Sequence, residues 1–132
     1  MKRIGLLVAL GLLLVASSYA QQNAPRFTGK SVVMDGKELS VARRSFEARA
    51  RTFWHSHDNG QLLLVEDGRM RTQKKGGPIK ELGKGESDYA GPNVVHWHGA
   101  ASAEALVQIN VGFGGETRWM EEVTEAEYGG KK

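Results

Sequence analysis

The chain has 132 residues, with 18 Lys and Arg against 15 Asp and Glu, and it contains no cysteine. This near balance of charge, without a long basic run, argues against nucleic acid as a partner. Because no disulfide can form, the fold must be stabilised by its own hydrophobic core, by a metal or by a partner subunit.

The N-terminal segment has the pattern of a secretory signal peptide. The basic start Met1-Lys2-Arg3 precedes an apolar run over residues 4–16, and small residues follow up to Ala20. A run of about thirteen apolar residues is shorter than the ~20 that span a membrane, although an uncleaved anchor is the alternative. We therefore expect a signal peptide over residues 1–20, a leader over 21–26, and a secreted or periplasmic protein that is not attached to the membrane after cleavage.

From residue 27 onward, glycine-rich turns separate short segments rich in strand-forming residues. These segments predict strands over residues 31–34, 39–46, 52–57, 61–65, 69–73, 79–82, 94–98 and 105–111, and residues 118–121 form either a last strand or an extended arm. Thr124 and Glu127 form a capping-box pattern that predicts a short C-terminal helix. Many short strands with glycine-rich turns predict one all-β domain over residues 27–132, built as a closed barrel or jelly roll.

The four histidines fall in two short clusters, His55 with His57 and His96 with His98. Residues i and i+2 of a strand point to the same face, so each pair can reach one ion. If the strand resumes in register after Gly60, Gln61 shares the face of the first pair. Adding His96 gives three imidazoles and an amide oxygen, although HxH pairs also occur in strands without a ligand role. We interpret the clusters as a metal site.

These motifs resemble those of the cupin superfamily, small β-barrels that bind metals. His55-Ser56-His57 is followed by three residues, Gln61, six residues and Gly68. The second motif is matched by Gly85, Pro92, Asn93 and His96. Through Gly60-Gln61 and the run His96-Trp97-His98-Gly99-Ala100, the chain also resembles small manganese-binding cupins that include bacterial hydroxynitrile lyases. That resemblance implies a cupin jelly-roll β-barrel in which His55, His57, Gln61 and His96 bind the metal.

Several positions depart from the broad cupin pattern. Arg49 and Asn93 stand where glycines are usual, and asparagine tolerates the left-handed backbone region best. Gln61 replaces a carboxylate, so a divalent metal held here would keep its full double charge and act as a strong Lewis acid. The donor set suits Mn, Fe, Ni, Co or Zn, and the resemblance favours Mn.

His98 is a candidate general acid or base, with a packing role as the alternative. Gln108 and Asn110, on the penultimate strand, are not proton-transfer groups. We expect a metal-dependent enzyme that acts on a small oxygenated molecule by lyase or isomerase chemistry. The alternatives are a quercetinase-like dioxygenase and a non-catalytic module that binds a small ligand or a metal. We also expect a homo-oligomer, a dimer or tetramer, in which Trp119 can be buried.

Overall fold

The computed structural model describes residues 27–131, and the predicted signal peptide and leader lie outside them. The chain divides into two units, one ending at Asp35 and the other covering Gly36–Lys132. The second unit carries all the regular structure described below. Its elements are β1 (Ser40–Phe46), β2 (His55–His57), β3 (Gln61–Gly68), β4 (Met70–Lys74), β5 (Ile79–Leu82), β6 (Ser87–Ala90), β7 (His96–Ala100), β8 (Leu106–Gly112), β9 (Thr117–Trp119) and helix α1 (Glu125–Tyr128).

The strands form two antiparallel sheets, as the sequence predicts for a cupin jelly roll. One has the order β1-β8-β3-β6 and the other β5-β4-β7-β2-β9. Along β3, Gln61, Leu63 and Val65 are buried, whereas Leu62 and Leu64 are only half-buried. This alternation follows from the two-residue period of a strand, and it places one face of each sheet in the interior.

The core has two hydrophobic clusters. The first contains Leu63, Val65, Met70, Ala100 and Leu106, which come from both sheets. The second contains Trp54, Trp97, Val123 and Tyr128. Trp97 alternates with His96 and His98 along β7, so its indole lies on the opposite face of the strand.

The C-terminal helix begins at the predicted capping box. Thr124 accepts a hydrogen bond from the backbone N–H of Glu127, and the Glu127 carboxylate accepts one from the Thr124 N–H in return. The buried Tyr128 hydroxyl donates to the Ala100 carbonyl over 2.9 Å. These contacts fix the helix against β7, the strand that carries two of the histidines.

Two details of the strand prediction are wrong. Residues 31–34 form no strand, and Val33 and Met34 are among the most exposed apolar side chains of the described chain. Apolar β-branched residues favour a strand only where a neighbouring strand supplies hydrogen bonds. Strand β6 was not predicted, because Asp88 is a poor strand former, yet β6 pairs with β3 and the Asp88 carboxylate is balanced by Lys80 at 3.1 Å.

The two residues that stand where glycines are usual, Arg49 and Asn93, both adopt the left-handed backbone conformation that favours glycine. Asn93 has φ of 58° and Arg49 has φ of 71°. The strained Arg49 turn is supported by a hydrogen bond from its N–H to the Ala101 carbonyl at 3.1 Å and by an ion pair of its side chain with Glu125. Among residues 27–131, no helix is long and apolar enough to cross a membrane.

Candidate metal centre

The histidines lie on two adjacent strands of the five-stranded sheet. His55 on β2 is directly opposite His96 on β7. The ring centroid of His55 is 4.3 Å from that of His96, 5.0 Å from that of His57 and 5.3 Å from that of His98. Pairing of the two HxH segments therefore gathers all four imidazoles on the inner face of one sheet, as their spacing predicts.

Gln61 reaches this cluster from the facing sheet, which corrects the expected route. The chain turns after His57 and crosses to the other sheet, so Gln61 does not continue the strand of His55. Gly60 permits the turn with φ of 89°, and a side chain there would lie 2.7 Å from the Ala90 carbonyl oxygen. The Gln61 Oε1 atom still comes within 3.2 Å of His96 Nε2.

Hydrogen bonds orient three of the imidazoles with Nε2 free for a metal. His55 Nδ1 lies 2.9 Å from the Phe53 carbonyl oxygen, and His96 Nδ1 lies 3.0 Å from that of Val94. A carbonyl oxygen can only accept, so each Nδ1 carries the proton and each Nε2 presents a lone pair. His57 Nδ1 lies 3.0 Å from Thr117 Oγ1, which can accept in the same way.

Two features indicate that a cation fits among these atoms. His57 Nε2 is buried and has no hydrogen-bond partner in the described chain. His96 Nε2 and Gln61 Oε1 are both acceptors at a separation of 3.2 Å, an arrangement that is repulsive without a positive charge nearby. Nitrogen and oxygen donors of this kind suit a divalent transition metal.

Burial keeps the imidazoles in the neutral form that a metal requires. Loss of solvent, together with the neighbouring His96, lowers the pKa of His55 to about 4. Burial also lowers the pKa of His57 and of His96 below the usual histidine value. At neutral pH all three therefore present lone pairs rather than protons, which removes the competition between protons and metal.

His98 differs from the other three histidines in which ring nitrogen carries the proton. By distance alone, ring nitrogens of His55, His96 and His98 lie within 4.8 Å of one another and could hold an ion. The His98 Nδ1 atom, however, lies 3.0 Å from the amide nitrogen of Gln108, which also contacts Asn110 Oδ1 at 2.5 Å. An amide nitrogen can only donate, so the neutral His98 ring carries its proton on Nε2. His98 is thereby set up as a hydrogen-bond donor next to the site rather than as a ligand through that atom.

Three of the histidines, His55, His57 and His98, line an open cavity of about 450 Å³ between the two sheets, and Gln61 lines it as well. Phe46 and Trp119 form part of its wall, and their rings lie 6.0 Å from the ring of His98 and 4.7 Å from that of His55, respectively. Trp119 is 62% exposed and borders the opening. Its place directly opposite His55 depends on the pairing of β9 with β2, which no local pattern reveals.

The sequence matches the family model described as "Cupin domain" over residues 43–112, which is more than half of the chain. The chain belongs to the cupin family. Among curated proteins it is 38% identical over 93 residues to an (R)-mandelonitrile lyase from Granulicella tundricola, covering 68% of this chain and 71% of that protein.

Solved structures support the same fold. A cupin-like protein from Thermotoga maritima superposes with a TM-score of 0.67 and is 45% identical, covering 69% of this chain and 71% of its own. The DMSP lyase DddQ from Ruegeria pomeroyi superposes with a TM-score of 0.58 at 14% identity, covering 67% of this chain and 46% of its own. At that identity the second likeness concerns the fold alone.

Proposed function

We propose that this cupin is a metal-dependent enzyme that acts on a small oxygenated organic molecule by Lewis-acid lyase or isomerase chemistry, with manganese as the first candidate metal. The observation that carries the proposal is the cluster of three neutral imidazoles and one amide oxygen beside an open cavity, which His55, His57 and Gln61 line. A site built only to stabilise the fold would be closed by protein ligands. Similarity to a protein named a mandelonitrile lyase supports lyase chemistry.

In this proposal His55, His57, Gln61 and His96 hold the metal. A divalent ion in this neutral donor set would keep its full charge and would polarise a carbonyl or stabilise an alkoxide. His98 donates its Nε2–H to the substrate oxygen on which negative charge develops. Phe46 and Trp119 limit the access of water and supply apolar surface for the rest of the substrate.

The ligand set is tested by elemental analysis of purified variants. His57→Ala is expected to lose most of the bound metal, because it removes the buried Nε2 that has no other partner. His98→Gln is the control: it changes another histidine of the same cluster, one that is fully buried whereas His57 is half-buried, and it is expected to retain the metal. Equal metal content in the parent and the His57→Ala variant would contradict the site, and loss of metal in His98→Gln would make His98 a ligand.

The reaction class is tested separately on the metal-loaded protein. Cleavage or isomerisation of hydroxynitriles and hydroxy acids without oxygen uptake would support Lewis-acid chemistry. Oxygen consumption with the same substrates would instead support the dioxygenase alternative. Ligand-induced thermal stabilisation without turnover would indicate a binding module.

Export and assembly are part of the same proposal. The N-terminal pattern supports cleavage after Ala20, so N-terminal sequencing of the protein recovered from the periplasm should begin at Gln21. The edge strands β1 and β9 expose Val41 and Trp119, at 70% and 62%, which supports association into a dimer or tetramer. A sedimentation mass of about 12 kDa, that of one mature chain, would contradict the oligomer.

A further inference from the structure

The wall of the histidine cavity carries positive groups but no carboxylate. Its polar lining consists of two arginines, three histidines and uncharged side chains, and no Asp or Glu of residues 27–131 contributes to it. A bound divalent metal would add further positive charge. A cavity that contains charge of one sign attracts a ligand of the opposite sign.

Arg44 brings one of these charges into the cavity from β1. Residues 40, 42, 44 and 46 of that strand line the cavity, so alternate side chains point inward. Arg44 pairs in register with Gln108, whose amide donates to His98. Cross-strand neighbours on one face lie about 5 Å apart at Cβ, so the Arg44 side chain begins beside the group that orients His98.

The guanidinium of Arg44 has no ion-pair partner among residues 27–131, unlike its neighbours. Arg43, on the outer face of β1, forms a two-bond ion pair with Glu66 at 2.6 Å. The other arginine of the cavity, Arg51, is bound to the Val123 carbonyl at 2.8 Å and to Glu125 at 3.0 Å. Arg51 is therefore occupied in holding the C-terminal segment, and Arg44 is the arginine left for a ligand.

We infer that Arg44 binds a carboxylate group of the substrate, which makes the substrate a small hydroxy or oxo acid in its anionic form. This inference rests on the proposed function and specifies its substrate class. The planar guanidinium can give two parallel hydrogen bonds to a carboxylate. A hydroxyl or carbonyl oxygen on the adjacent carbon then faces the metal ligands, and a cavity of about 450 Å³ accommodates an acid carrying an aromatic ring.

Calorimetric titration with matched acids and amides tests the inference. The probes are mandelate, lactate and pyruvate, each compared with its neutral amide, on manganese-loaded protein and on protein dialysed against a chelator. We expect at least one acid to bind more tightly than its amide. Arg44→Ala should weaken that binding about 10- to 100-fold, as expected for loss of a charge-assisted pair, and should leave the amide unchanged.

Arg43→Ala is the matched control, because it removes the neighbouring arginine from the opposite face of the same strand. It should leave acid binding unchanged, and Arg44→Lys should restore part of it. Circular dichroism of each variant checks that the fold is retained. The inference would be overturned if Arg44→Ala and Arg43→Ala bound the acid equally well. It would also be overturned if no probe bound more tightly as the acid than as the amide.

The same experiment separates this inference from the proposed function. If the parent protein binds no metal, the proposed function fails, yet Arg44-dependent acid binding can still be measured on the dialysed protein. If metal binds and Arg44→Ala has no effect on acid binding, the metal site stands and the substrate class is wrong.

Discussion

Replacing Gln108 by leucine tests how the protein orients His98. Gln108 is fully buried, and its amide nitrogen donates to His98 Nδ1 at 3.0 Å and to Asn110 Oδ1 at 2.5 Å. Leucine has a similar volume but no donor, so both acceptors lose this partner. Each buried polar atom left unpaired costs about 1–3 kcal/mol.

Part of that cost is offset in the variant. Gln108 Oε1 is itself buried without a partner, and its removal relieves a penalty of the same kind. The net loss in free energy of unfolding should therefore be about 1–3 kcal/mol for the metal-free protein, which lowers Tm by about 4–8 °C for each kcal/mol. The same substitution frees His98 to move its proton from Nε2 to Nδ1.

Urea denaturation and nitrogen-15 NMR of the histidine rings measure the two effects together. Gln73→Leu is a suitable control, because Gln73 likewise makes two hydrogen bonds with its side chain but does not contact His98. It donates to the Gly77 carbonyl and accepts from the Trp97 indole. That control should lose stability while the His98 ring keeps its proton on Nε2. A parent protein with the His98 proton on Nδ1, or a Gln108→Leu variant with unchanged stability and tautomer, would refute the reasoning.

Three further outcomes are expected. Gln61→Glu should keep the metal and lose most Lewis-acid turnover, because a carboxylate cancels one of the two metal charges; turnover equal to that of the parent would contradict this. Gly99→Ala should lower the free energy of unfolding, measured by urea denaturation, by about 1–3 kcal/mol, since the added Cβ would lie 2.3 Å from the Ala50 carbonyl oxygen. Gly83→Ala is the control: its added Cβ would have its nearest contact at 3.7 Å, so the free energy of unfolding should change little. Tyr128→Phe should lower the free energy of unfolding by about 1–3 kcal/mol, because it leaves a buried strand carbonyl without its donor; unchanged stability would show that water replaces the hydroxyl.

The sequence by itself determined most of the strands, the C-terminal helix and the pairs of site residues. The two-residue period of a strand is a local property, so it places His55 with His57 and His96 with His98 on common faces and directs Trp97 to the opposite face. The capping box at Thr124 is local in the same sense, since it joins residues three apart. The two histidine motifs, each contained in a short segment, likewise carry the resemblance to cupins.

Only the tertiary structure decided how these pairs come together. Gln61 approaches from the facing sheet, because the chain reverses at Gly60, and no local pattern encodes the sheet to which a strand belongs. Residues 31–34 have strand-forming side chains but form no strand, because strand formation depends on hydrogen bonds from a neighbouring strand. The difference between His98 and the other three histidines depends on a hydrogen bond from Gln108, ten residues away on the facing sheet. Such contacts join residues through the packing of two sheets, and that packing is set by the whole chain rather than by any one segment.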